Sequence, residues 1–224
     1  MKKRLDVIID ITPPCETVAD IGCDHGKAAV GLLLRGKANA AVCSDISEKS
    51  LNKARKLAES EGVAGGVSFR AGDGLEVLEP GEADAAIIAG MGGELIARIL
   101  ESGKTRAPET LVLGCNTKPE AARDWLYKNG YRIEDEEMAR EGRHFYPVIL
   151  AVKGASRDLS ETELELGPAL LKKKPPEFIE YVLRKIEKAL IKRESIRASD
   201  TKNARELLRA LDEKIKRYGE AIEK

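Results

Sequence analysis

The sequence predicts a doubly wound α/β fold: a seven-stranded, mostly parallel sheet followed by an antiparallel helical coiled coil. Three observations carry that expectation. Apolar runs of strand length alternate with helical patterns as far as Gly130, the signature of βα units with both faces of the sheet covered. The alternation then gives way to two strand-like runs around a polar turn. Beyond Lys172-Lys173-Lys174-Pro175-Pro176 the pattern is wholly helical.

Taken in order, the stretch MKKRLDVIID reads as a short amphipathic helix, because Asp6 and Asp10 break its apolar run and leave neither a signal peptide nor a membrane span. Five strands are expected at 17–21, 38–44, 67–71, 83–89 and 110–115. Between them lie helices at 27–35, 47–60 with Ser47 as cap, 94–101, and 119–129 ended by Gly130. Runs at 131–137 and 146–152 flank the EGRH turn, so a β-hairpin closes one sheet edge. The stretch 153–160 marks a boundary, giving a sheet domain over 1–155 and a helical domain over 156–224. Long helices follow at 177–197 and 201–223, with a cap at Ser199-Asp200. In the second, Ala204, Leu208, Leu211, Ile215, Tyr218 and Ile222 step by 4, 3, 4, 3, 4, a coiled-coil seam. The first offers Val182, Ile186, Ala189 and Ile196, interrupted by Arg193. The short connection favours pairing within one chain, as a monomer; pairing between two chains in a dimer is the alternative.

The chain of 224 residues carries 38 basic and 38 acidic residues, so net charge excludes no partner. The distribution is more informative: residues 168–224 hold 16 Lys/Arg against 10 Asp/Glu, an excess of +6. Solvated helices and a nucleic-acid-facing surface both explain such an excess. Cys15, Cys23, Cys43 and Cys115 show neither a CxxC pair nor metal spacing. They read as reduced structural thiols of a cytoplasmic protein, with no metal expected.

Ligands in such sheets sit beyond the carboxyl ends of the strands. After the first strand comes Asp20-Ile21-Gly22-Cys23-Asp24-His25-Gly26. A dinucleotide fingerprint needs a second glycine where Asp24 stands, so that backbone can touch a pyrophosphate. An acid there repels a diphosphate and suits a cationic ligand with an amino group, for which S-adenosylmethionine is the common cofactor. A plain turn with a helix cap accounts for Gly22 and Asp24 but leaves His25 unexplained.

Asp45, followed by Ile46, ends the second strand where an acid can accept ribose hydroxyls, although an ordinary helix cap reads the same. Asp73-Gly74 after the third strand is either an acceptor for an adenine amine or a turn. Gly90-Met91-Gly92-Gly93 after the fourth would let backbone approach a ligand and leave room for a planar group beside it. Asn116 after the fifth could offer its amide to a base edge, against the plainer reading of a turn asparagine.

Together VADIGCDHG, GDGLEVL, AGMGGELI, Asn116 with Arg123 and Trp125, and LGPALLKKKPPEF resemble the TrmK family of tRNA (adenine-N1)-methyltransferases, over nearly the whole chain. The resemblance implies a class I (Rossmann-like) methyltransferase fold with a C-terminal helical coiled coil. It also implies methyl transfer from S-adenosylmethionine to N1 of adenine 22 in the tRNA D-arm region, in a bacterial cytoplasm. Asp20, Gly22, Asp24, His25, Asp45, Ile46, Asp73, Gly74, Gly90, Met91 and Gly92 are then the cofactor-binding candidates, with Asp24, His25 and Asn116 placed at the reacting base. The chain departs from the family pattern at Lys27-Ala28-Ala29, at Gly114-Cys115-Asn116 and in carrying Asp45. Two rivals stay open: a methyltransferase acting on a small molecule or protein, and a non-enzymatic tRNA-binding module on the same fold.

Overall fold

The computed structural model describes residues 3–197 and 201–223. Seven strands, β1 (Cys15–Ile21), β2 (Ala38–Asp45), β3 (Val67–Ala71), β4 (Ala85–Met91), β5 (Thr110–Cys115), β6 (Tyr131–Glu141) and β7 (His144–Lys153), form one sheet in the order β3-β2-β1-β4-β5-β7-β6. The first five are parallel, while β7 runs antiparallel to both β5 and β6. The order reverses between β1 and β4, and that switch point is where an open α/β sheet leaves a crevice for a ligand.

Strand identity follows composition. Val18, Ala19 and Ile21 of β1, Ile87 and Ile88 of β4 and Leu111, Val112 and Leu113 of β5 are all buried, as expected of central strands covered on both faces. On one face pack α1 (Arg4–Ile11), α2 (Lys27–Leu34) and α3 (Glu48–Ser60), and on the other α4 (Gly93–Ser102) and α5 (Pro119–Lys128). Helix α1 buries Val7, Ile8 and Ile9, and its last carbonyls are satisfied by Lys37, whose Nζ donates to Ile9 O and Thr12 O at 2.9 and 2.7 Å. The Ser47 hydroxyl caps α3 by accepting the Ser50 N–H at 3.3 Å.

Three features differ from the sequence expectation. Strand β4 begins two residues later than expected and runs through Gly90 and Met91, with a bulge between Ala89 and Met91; half of the glycine-dense segment is therefore strand. The hairpin strands are longer than the apolar runs, because pairing continues past Glu137 to Glu141 and His144 and leaves a turn at Gly142-Arg143. Two short helices, α6 (Glu161–Leu166) and α7 (Pro168–Lys173), occupy a stretch with no helical periodicity of its own. Ser160 starts the first with a reciprocal capping box to Glu163.

The long helices α8 (Pro176–Arg197) and α9 (Lys202–Glu223) pack antiparallel within the chain: Tyr218 meets Phe178 and Val182, and Arg193 bonds Asp212 at 3.0 Å. Ala204, Leu211 and Tyr218 of the seam are buried, whereas Leu208, Ile215 and Ile222 are half-buried. The expected cap at Ser199-Asp200 lies outside the described residues. No helix among the described residues is long and apolar enough to cross a membrane.

Candidate functional site

The β1–α2 turn is built from unusual backbone. Gly22 (φ +68°), Asp24 (φ +48°) and Gly26 (φ +65°) all occupy the left-handed region, which a side chain tolerates poorly and which asparagine and aspartate enter most readily after glycine. A Cβ on Gly22 would run into Cε of Met91, and one on Gly26 would press on Ala54. Asp24 therefore holds a costly conformation between two positions that only glycine fits.

The turn gathers carboxylates. Asp45 Oδ2 accepts the Asp24 N–H at 3.1 Å, while its Oδ1 accepts the Ser47 N–H at 2.9 Å. Asp45 thus braces the turn and also serves the cap position that its alternative reading proposed. Asp20 is only 5% exposed, and its Oδ2 accepts the Ala29 N–H in the first turn of α2 at 3.2 Å. Burial raises its pKa to about 6; the Ala29 hydrogen bond opposes the rise and the neighbouring Asp45 adds to it. Asp24 Oδ2 lies 2.6 Å from Nδ1 of His25, with both side chains open to solvent.

These groups border a crevice of about 600 Å³, within the range of small-molecule sites. Asp20, Gly22, Asp24, His25, Gly90 and Met91 line it from the strand ends. Asp45 joins through its bond to Asp24, and Ile46, 77% exposed, stands next to it. Asn116 joins through two contacts: its Nδ2 donates to Gly90 O at 2.6 Å and its Oδ1 accepts from Nη1 of Arg4 at 2.8 Å. The loops after β4 and β5 are further tied by Asn116 N donating to Met91 O and Gly93 N donating to Thr117 O, both at 2.7 Å.

The remaining candidates stand apart. Asp73 is exposed beyond β3, and its neighbour Gly72 donates its N–H to Asp45 O at 3.2 Å. Gly74 is buried in the left-handed region at φ +57°, and a Cβ there would stand 3.0 Å from Cγ2 of Ile99 on α4, so backbone conformation and packing together favour glycine. Gly92 is half-buried with Thr117 Oγ1 where its Cβ would be.

The far wall of the crevice comes from residues that strand-end reasoning does not reach. Lys3, Arg4, Leu5 and Ile8 of the N-terminal segment and Glu141 at the end of β6 line it. The Arg4 N–H donates to Glu141 Oε1 at 3.2 Å, so the first helix is stitched to the terminal hairpin. The available signal was the Arg4-Leu5 pair at the head of an amphipathic helix, which carries no chemistry until the hairpin is placed beside it. A second, larger groove of about 730 Å³ between α4 and α5 contains none of the strand-end acids. Among the described residues no cluster of His, Cys, Asp and Glu could hold a metal ion.

Known proteins resemble this chain in sequence and fold. The family model for TrmK, tRNA (adenine(22)-N(1))-methyltransferase, matches residues 18–220. The tRNA (adenine(22)-N(1))-methyltransferase of Bacillus subtilis is 34% identical over 100% of this chain and 97% of its own length. The crystal structure of the B. subtilis TrmK superposes with a TM-score of 0.89 at 33% identity, covering 99% of this chain and 98% of that one. A Mycoplasma capricolum TrmK in complex with S-adenosyl-homocysteine matches at a TM-score of 0.85 and 25% identity, covering 100% and 98% of the two chains. With the model spanning nearly all of the sheet and helices, and a curated relative above 30% identity along the full length, the chain belongs to the TrmK family of tRNA (adenine(22)-N(1))-methyltransferases.

Proposed function

We propose that this chain transfers a methyl group from S-adenosylmethionine to N1 of adenine 22 of tRNA, in the crevice between the β1–α2 turn and α1. The observation that carries the reading is one crevice at the sheet's switch point lined by Asp20 and Asp24, with Asp45 held directly behind it by its bond to the Asp24 N–H. Three carboxylates oppose a diphosphate and favour a ligand bearing an ammonium and a sulfonium. The cradle fits such a group: the left-handed turn keeps Gly22 free of a Cβ beside Met91, and Ile46 offers an apolar face next to the Asp45 carboxylate. Asp20 and Asp24 take the amino-acid end, Asp45 the ribose hydroxyls, and Asp73 the adenine amine.

When bound, S-adenosylmethionine supplies an electrophilic methyl and leaves as a neutral thioether. Adenine N1 already holds its lone pair, so the chain's task is mainly to place the base in line at near-attack distance. The ring becomes cationic as the bond forms. The carbonyl of Gly90 and the carboxylate of Asp24 present negative potential to it, and the amide of Asn116 receives the exocyclic amine. A paired adenine must first leave its stack, at a cost of roughly a few kcal/mol.

In this reading residues 1–155 hold cofactor and base while the helices of 156–224, with their excess of Lys and Arg, contact the tRNA backbone. The chain acts as a monomer in the cytoplasm, where its substrate is. The test is incubation with labelled S-adenosylmethionine and total tRNA, followed by nucleoside mapping. Label in 1-methyladenosine is the expected result; label confined to a small molecule or to protein, or none at all, would overturn the proposal.

A further inference from the structure

A cation occupies a place shaped for a planar base. The Arg4 guanidinium lies over the ring of Tyr146, 4.8 Å from its centroid, while Nη1 donates to Asn116 Oδ1 at 2.8 Å. Asn116 cannot turn freely, because its Nδ2 is held by Gly90 O. The arginine thus presents a flat face to an aromatic ring and an N–H to a fixed amide oxygen. A stacked adenine would present a flat face to that ring and its N6 amine to that oxygen.

Tyr146 is the ring available for this. Phe145, Phe178, Tyr181 and Tyr218 belong to the C-terminal cluster, Trp125 and Tyr131 pack on each other, Phe69 on β3 lies under Arg55, and Tyr127 borders a separate groove. Tyr146 is half-buried on β7 and covered by a side chain that lines the crevice.

Resting on the function proposed above, we infer that Tyr146 and Asn116 form the two walls of the target-adenine slot, and that Arg4 fills the slot in the free protein and withdraws when the base enters. Charge supports withdrawal: a guanidinium kept against a ring that is becoming cationic would oppose the reaction. Glu141, which accepts the Arg4 backbone N–H and lines the same crevice, gives the displaced side chain a carboxylate. Arg4 is therefore a positioning residue and Tyr146 a substrate-binding one.

The test is steady-state methylation of an unmodified tRNA transcript by the full chain, with S-adenosylmethionine affinity measured alongside. Tyr146→Leu, which keeps apolar volume and removes the ring, is expected to lower kcat/KM for the transcript by about tenfold or more. Its cofactor affinity should not move, and Tyr146→Phe should restore kcat/KM to within about threefold. Arg4→Ala vacates the slot and is expected to lower the transcript KM by about fivefold. A fully active Tyr146→Leu would overturn the slot, as would a Tyr146→Leu chain that lost cofactor binding in proportion. A loss of more than about tenfold in kcat for Arg4→Ala would make the guanidinium part of the reacting assembly and overturn its displacement. If the unsubstituted chain methylated no adenine N1, the functional reading itself would fail, an outcome separate from all of these.

Discussion

Arg123 on α5 and Glu136 on β6 form an ion pair at 2.7 Å with side chains 1% and 0% exposed. Each partner also holds a piece of the C-terminal region. Arg123 Nη1 donates to Leu164 O at 2.7 Å, and Glu136 Oε2 accepts the Ala169 N–H at 3.0 Å at the start of α7. Gly167 passes so close that a Cβ there would meet both side chains. The pair is a buried pin between the sheet and the helices beyond it, beside more exposed ties such as Lys173 to Glu137 and Arg184 to Arg143 O. Removing one partner leaves an uncompensated buried charge, so Arg123→Ala or Glu136→Ala should each cost about 3–5 kcal/mol in urea unfolding. The Arg123→Met/Glu136→Leu double variant should be less destabilised than either. A single variant within about 1 kcal/mol of wild type would contradict the role given to the pin.

Asp20 makes stability depend on pH. Its pKa in the folded state is raised to about 6 from 3.8, so the native state holds a proton that the unfolded chain has released. Its contribution is fully present below the unfolded value and is lost as pH rises through about 6. Wild-type stability should therefore fall relative to Asp20→Asn between pH 4 and 7, by about 3 kcal/mol at most. Parallel pH profiles for the two proteins, measured without cofactor, would refute this.

Asp24 trades stability for function. Its φ of +48° would cost glycine nothing, so Asp24→Gly should melt no lower than wild type. The same change removes a carboxylate from the crevice, and S-adenosylmethionine affinity should drop by about tenfold. Calorimetry and thermal melts on one preparation separate the two effects.

The helical region should be felt as salt dependence. Lys188, Lys192 and Arg209 are exposed on α8 and α9. Replacing all three with Glu is expected to weaken tRNA retention and to flatten the slope of log affinity against log salt by about 1–3 units. Cofactor affinity should stay as it was. An unchanged slope would move the RNA surface elsewhere on the molecule.

Much of the sheet and the strand-end side of the candidate crevice were legible because local rules and tertiary structure agree there. The acids after β1 and β2 stand at strand ends that the apolar runs mark out; Asp20 and Asp24 line one crevice at the switch point, and Asp45 braces the turn that carries Asp24. What was illegible depends on distant pairing. Met91 reads as loop because glycines surround it, yet it pairs with Cys115 in the sheet. Helices α6 and α7, at six residues each, are too short to show a period and are held by a capping box and by Glu136. Arg4 and Glu141 each look ordinary in sequence, and line one crevice only when α1 lies against the hairpin.

That hairpin has a bearing on how the protein is made. Glu141 emerges from the ribosome 137 residues after Arg4, and β7, later still, must slip between β5 and β6, which were synthesised before it. Until residue 153 is free of the exit tunnel β6 has no partner, the sheet stops at five strands, and the crevice lacks Glu141. Ribosome-stalled chains ending before β7 should thus show no methyl transfer.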